Sequence, residues 1–255
     1  QWDMARLLAK ELTALGLVDV EISDYAVVTA KLPSNLPEGV KVPTVGWCAH
    51  MDTVDAGLSP DIHPQVIKNY QGGDICLNKE KDIWMRVAEH PEVERYIGDD
   101  LVVTDGTSVL GADNKSAIAN VMTALEIVIQ ENRPHGTIHV AFVPDEEIGL
   151  LGAKKIDFSK FPVDFAYTID SCELGELVYQ TFNAGGATLT IRGVTAHPMS
   201  AKGVLVNPTL IACDFVNALD RKETPECTED TEGFIWVHSI CLLYTSPSPR
   251  DSTSS

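Results

Sequence analysis

Apolar positions at the start of the chain recur with helical spacing. Trp2, Ala5, Leu8, Leu12 and Leu15 fall on one face and predict an amphipathic helix over Gln1 to Leu17. The period then shortens. Apolar and β-branched residues from Val18 to Leu32 predict short strands, Pro33 to Gly39 a turn-rich connection, and Val42 to Ala49 a strand ending at His50. Asp55 to Gly98 is polar and rich in proline, glycine and charge, which predicts a long irregular surface excursion. Leu101 to Thr104 reads as a brief strand. A glycine-bounded loop from Gly106 to Gly111 follows, then a helix from about Asn114 to Gln130 with Asp113 at or beside its N-cap. Two further apolar runs, Thr137 to Val143 and Phe165 to Ile169, stop at Pro144 and Asp170. Strands alternating with helices predict an α/β fold with a mostly parallel sheet covered on both faces.

The pattern changes at Leu177. Leu177 to Asn183 and Ala187 to Arg192 read as paired strands, Pro208 to Leu219 as a helix and Phe234 to Ser239 as another strand, the first part of a smaller α/β domain. The expected division is residues 1–176, 177–240 and a tail, 241–255. That tail, CLLYTSPSPRDSTSS, has no periodicity and resembles translated sequencing-adapter read-through. At the other end the chain opens on its helix with neither an initiator methionine nor a capping residue. A chain cut at both ends is expected.

Composition narrows the function classes. With 44% hydrophobic residues in 255, the chain can build one large core and part of another. A formal net charge of -18 and no basic patch argue against nucleic-acid or anionic-membrane partners. The longest apolar run, Ile118 to Ile129, is broken by Asn120, Thr123 and Glu126, so no membrane segment is expected. Six cysteines at irregular spacing form neither a zinc ribbon nor a disulfide framework, and a reducing cytoplasm suits them.

The chemistry lies where the strands stop. Val45 to Ala49 runs into His50-Met51-Asp52, Ile138 to Val143 into Asp145-Glu146-Glu147, and Phe165 to Ile169 into Asp170. Open α/β sheets bind ligands at the carboxyl ends of their strands. One imidazole with the carboxylates of Asp113, Glu147 and Asp170 suits zinc, which takes nitrogen and oxygen ligands. Two zinc ions roughly 3.5–4 Å apart need a bridging ligand, and Asp113 is the natural one. Their four positive charges would face three carboxylates and one bridging hydroxide. By spacing, Glu146 is placed beside a ligand but turned away from it, free to act as acid and base, and Asp52 is placed to orient His50. Singly, a His-x-Asp or a run of three acids is more often a surface feature. Together at strand ends they point to metal. His63, His90, His135 and His139 have no comparable setting, and no Gly-Lys-Ser/Thr follows Gly111 to make a phosphate loop.

Five motifs in order, AHMDT (Ala49 to Thr53), LGADNKSAIA (Leu110 to Ala119), PDEEIG (Pro144 to Gly149), AYTID (Ala166 to Asp170) and AHPMSAKG (Ala196 to Gly203), are similar to those of the co-catalytic zinc exopeptidases, the aminoacylase-carboxypeptidase family. VNP at Val206 to Pro208 follows them, and the likeness runs from about Gln1 to Ile240. The resemblance implies a parallel-sheet catalytic domain joined to a smaller ferredoxin-like dimerisation domain, and hence a homodimer. It implies tripeptide aminopeptidase activity, with short peptides attacked by a metal-bound hydroxide; dipeptidase, carboxypeptidase or deacylase activity, or an inactive fragment, are the alternatives. By the same resemblance His50, Asp113 and Asp170 hold one zinc, Asp113 and Glu147 the second, Glu146 is the acid/base, Asp52 the orienting aspartate, and His197 stabilises the oxyanion. Three departures stand out. Met199 replaces the usual glycine after His197-Pro198, Ser171-Cys172 replaces a glycine pair, and the distal histidine of the second zinc is missing, since His238 does not match it.

Overall fold

Each element below follows from residues that must hide one side. A computed structural model describes residues 1–170 and 175–241. The opening periodicity becomes helix α1 (Trp2–Ala14), which buries Ala5, Leu8 and Leu12 and leaves Trp2 at the rim. Strands β1 (Val18–Ile22) and β2 (Val28–Leu32) form an antiparallel pair across the short link from Ser23 to Val27. The next strand, β3 (Val45–His50), ends on the histidine. Then come β4 (Gln65–Ile67), β5 (Ile75–Asn78), β6 (Ile83–Met85), β7 (Leu101–Val103), helix α2 (Ala112–Gln130), β8 (Ile138–Val143) and β9 (Phe165–Thr168).

The main sheet has the order β1-β2-β8-β3-β9. Its half nearest the strand-end motifs, β8, β3 and β9, is parallel, as expected, while β1 and β2 join antiparallel and make the sheet mixed. Connection length explains the mixture. A five-residue link returns the chain only as a hairpin, whereas parallel neighbours need a crossover, which here includes α2. Register places Val28 beside Phe142 and Phe142 beside Ala49, so these side chains share one face with Ala30, Val140 and Leu32. Onto that face pack Ala5, Leu8 and Leu12 of α1 and Ala117, Ile118, Val121 and Leu125 of α2, forming one core. Burying each larger side chain contributes about 1.5–3 kcal/mol. Both helices thus contribute to one core, rather than one to each face. On the opposite face Phe161 packs so closely on Gly46 that a Cβ there would lie 2.5 Å from the ring.

Residues 55–98 are more regular than their composition suggests. β4 pairs with β7 and β5 with β6, and Tyr70, Ile75 and Val93 form a small separate core. The overlooked signal is short: the alternations Ile75-Leu77 and Ile83-Met85 flank an Asp-containing turn.

The chain divides into two compact units, Gln1–Tyr179 and a second from Gln180 onward. In the second, helix α3 (Pro208–Ala218) forms where a helix is expected, with Pro208 at its first turn and the Asn207 side chain accepting from Thr209 N–H. The strands expected at Leu177–Asn183, Ala187–Arg192 and Phe234–Ser239 are not formed among the described residues; a single antiparallel bridge joins Val194 and Val206. An isolated ribbon is marginal without a third strand or a helix to bury its face, and Phe182, Leu189 and Phe234 are exposed. Ser171-Cys172 and the tail after residue 241 lie outside the described residues.

Candidate metal centre

Three neighbouring parallel strands deliver the site. His50 is the last residue of β3, Asp170 follows β9 by two residues, and Glu146 and Glu147 follow β8 through Pro144 and Asp145. The fourth contributor, Asp113, opens α2 with non-helical backbone (φ -78°, ψ 106°), and its peptide bond to Asn114 is cis. Regular helix starts only after Asn114, so Asp113 stands ahead of the regular turns, beside the position expected for it.

His50 is buried at the centre. Its Nδ1–H donates to the backbone carbonyl of Asp52 at 3.0 Å, leaving Nε2 directed at the acids. Nε2 lies 2.9 Å from Asp113 Oδ1, 3.8 Å from Glu146 Oε2 and 3.9 Å from Asp170 Oδ2. Two sets of donor atoms, His50 with Asp113 and Asp170, and His50 with Glu146 and Glu147, each fall within 4.8 Å of one another. The structure therefore gathers His50, Asp113, Glu146, Glu147 and Asp170 at one place. Glu146 approaches the same imidazole nitrogen as the others, where the sequence reading turns it away. The cause is the turn after β8: with Asp145 left-handed (φ 58°) and the Glu146 carbonyl accepting from Gly149 and Leu150, Glu146 and Glu147 share a side.

Asp52 holds that turn. Backbone N–H groups of Glu146 and Glu147 donate to its two carboxylate oxygens at 3.0 and 3.1 Å. A carboxylate oxygen of Asp52 is also 3.4 Å from His50 Nδ1. One aspartate thus fixes both the imidazole and the paired glutamates.

Electrostatics show what the cluster lacks. Burial alone would lower the His50 pKa, but the bond to Asp113 and the fields of Asp170, Glu146 and Asp52 outweigh it and hold the imidazolium above its usual range. Burial raises Glu146, helped by Asp170, Glu147 and Asp52 and opposed by His50. Asp170 is raised by burial and by Asp113. A histidine and two carboxyls all shifted upward are the marks of a site crowded with negative charge. A divalent ion would offset it, and one nitrogen with carboxylate oxygens is a donor set that zinc accepts.

His197 belongs to the second unit. Its ring accepts from Met199 N–H at 3.2 Å and caps the 3₁₀ turn Pro198–Ser200. Met199 lies within that turn, a backbone open to any residue, so the absent glycine costs nothing there. His238 is exposed and meets Trp236 edge-on, with ring centroids 5.8 Å apart.

Known proteins share this arrangement of sequence. A peptidase T-like protein of Rhizobium meliloti is 57% identical over 237 residues, 93% of this chain and 57% of that protein. Peptidase T of Exiguobacterium is 46% identical over 241 residues, 94% of this chain and 58% of its own length. The model of the peptidase dimerisation domain matches residues 179–242. Over more than nine-tenths of its length the chain is similar to proteins of the peptidase T family. Among solved structures, the aminopeptidase PepT of Bacillus cereus superposes with a TM-score of 0.56 at 27% identity, over 86% of this chain and 51% of that one. The chain spans a little over half the length of the curated peptidase T relatives it matches. Among the described residues no helix is long and apolar enough to cross a membrane.

Proposed function

We propose that this chain carries the larger part of a zinc-dependent aminopeptidase that removes the N-terminal residue of tripeptides. The observation that carries the reading is the donor set of His50, Asp113 and Asp170, with Glu146 and Glu147 brought to the same imidazole, where adjacent parallel strands end beside the start of α2. His50, Asp113 and Asp170 would hold one zinc; Asp113 and Glu147 would contribute to a second. Zinc would supply Lewis acidity toward the scissile carbonyl and make a bound water easier to deprotonate. Glu146 takes the proton from the attacking water and passes it to the departing amine, a role suited to a carboxyl whose pKa burial has raised. Asp52 keeps His50 oriented and Glu146 in reach. His197 would donate to the developing oxyanion.

The same reading takes residues 1–176 as catalytic and 177–240 as a dimerisation domain, with a homodimer as the working form. The family match over 179–242 supports it. Five described cysteines, Cys48, Cys76, Cys213, Cys227 and Cys241, are free, which suits a cytoplasmic location. The test is tripeptide hydrolysis with zinc added, by this chain and by a version extended to the length of its relatives. In the extended form Glu146→Gln should lose at least 10²-fold in kcat with its metal retained. Normal turnover in that variant would sink the mechanism. Faster cleavage of N-acylated amino acids than of free tripeptides would move the protein to the deacylase alternative.

A further inference from the structure

Asp113 is the carboxylate asked to serve both metals, yet its side chain is 70% exposed and its backbone non-helical. Something besides its contact with His50 must fix it. The residues flanking it provide the means. Lys115 Nζ donates to Thr53 Oγ1, joining the start of α2 to the loop that follows His50 and Asp52. Lys115 N–H donates back to the Gly111 carbonyl at 3.3 Å, closing the backbone around Asp113. Gly111 is left-handed (φ 72°), and a Cβ there would lie 2.8 Å from Lys115 Cε and 2.9 Å from Thr53 Oγ1. The glycine thus supplies the left-handed backbone and the room that the lysine needs to reach the threonine. Thr53 is one residue from Asp52, which already ties the same loop to Glu146 and Glu147.

We infer that Thr53, Gly111 and Lys115 form a latch that positions Asp113 against His50 and so sets the spacing of the metal donors. The inference rests on the zinc reading above. Lys115 is a positioning residue here; it need touch neither metal nor substrate. A rival role is purely electrostatic, with the ammonium offsetting repulsion between Asp52 and Asp113. The two roles predict opposite results. If only charge mattered, deleting the ammonium would strengthen zinc binding, and breaking its bond to Thr53 while keeping the charge would do little.

The experiment is calorimetric titration of zinc into the metal-free chain, with thermal unfolding of each metal-free variant as the structural control. Thr53→Val keeps the shape and the lysine charge but removes the acceptor, and should raise the zinc Kd about 10-fold at unchanged apo Tm. Thr53→Ser should return the Kd to the wild-type value. Lys115→Met should also weaken binding. Wild-type affinity in Thr53→Val, tighter binding in Lys115→Met, or a loss of apo stability in Thr53→Val that matches its loss of affinity would each overturn the latch. Failure of the wild-type chain to bind zinc at all would instead overturn the reading on which the latch rests.

Discussion

The two units of this chain spend their apolar residues differently. In the first, Phe142, Leu12, Leu125, Val28 and Val140 are fully buried between one sheet and two helices, and three strand ends with the start of α2 bring five titratable side chains to one spot. In the second, Phe182 and Trp236 are 76% and 67% exposed, and α3 buries no residue completely. A site needs a scaffold that has already met its own entropy cost, whereas a surface built for association keeps apolar area in reserve. The family match of the second region to a dimerisation domain agrees with that contrast.

The sharpest way to break the comparison is to truncate one aromatic in each region. Phe142→Ala opens a cavity in a filled core and should cost about 3–5 kcal/mol, enough to unfold a marginal domain. Trp236→Ala should stay within about 0.5 kcal/mol in dilute solution, as exposed substitutions do. Chemical denaturation of both variants measures the difference. An equal loss in both would mean that Trp236 is covered in solution and that the second region carries a core or a partner of its own.

Metal affinity separates the regions next. Asp52→Asn keeps the size of the side chain but replaces one of the two oxygens that accept from Glu146 and Glu147 with an amide donor, and should weaken zinc binding 10- to 100-fold. His197→Ala, in the second unit, should leave the Kd of the same chain unchanged. If His197→Ala matched Asp52→Asn, the metal centre would extend beyond the first unit. A smaller contrast is steric. Gly46→Ala pushes a methyl against Phe161 and Ala166 and should cost about 1–3 kcal/mol, whereas a Cβ at Gly185 meets nothing within 4 Å and Gly185→Ala should be near neutral. Thermal unfolding of the pair reads this directly.

The same contrast explains what was legible in the sequence. His50, Glu146, Glu147 and Asp170 could be located because each follows an apolar run that forms a parallel strand, and the carboxyl ends of such strands lie side by side, although only β8 is buried throughout and β9 is exposed. Helix α1 was legible from its period, and α2 from the glycine-bounded loop and capping aspartate ahead of it. The orientation of Glu146 was not, because it depends on a left-handed residue at Asp145, a non-glycine that composition gives no reason to place there. Thr53 and Lys115 lay inside recognised motifs, but their bond joins positions 62 residues apart, and only the fold brings them together. The strands expected after Leu177 are rich in apolar and β-branched residues and still do not pair among the described residues, since composition states that a face wants burial and not what will bury it.

The last test uses a group that the metal chemistry does not involve. His139 is buried in β8 between Lys31 of β2 and Gly46 of β3, edge-on to Phe161, with Nδ1 lacking a partner. Burial lowers its pKa below 6.5, Lys31 adds to the effect, and a backbone hydrogen bond at Lys160 and the charge of Asp19 oppose it. The unfolded chain therefore takes up this proton first as pH falls. The stability contributed by neutral His139 is whole above pH 6.5 and is lost as pH descends through the folded value, at no more than about 1.4 kcal/mol per pH unit. His139→Leu removes the titration and the unpaired nitrogen together. Between pH 7 and pH 5 the wild-type Tm should fall further than that of His139→Leu. Parallel Tm profiles would show that His139 reaches water or a partner when charged, and that this part of the first unit's core is as open as the second unit's surface.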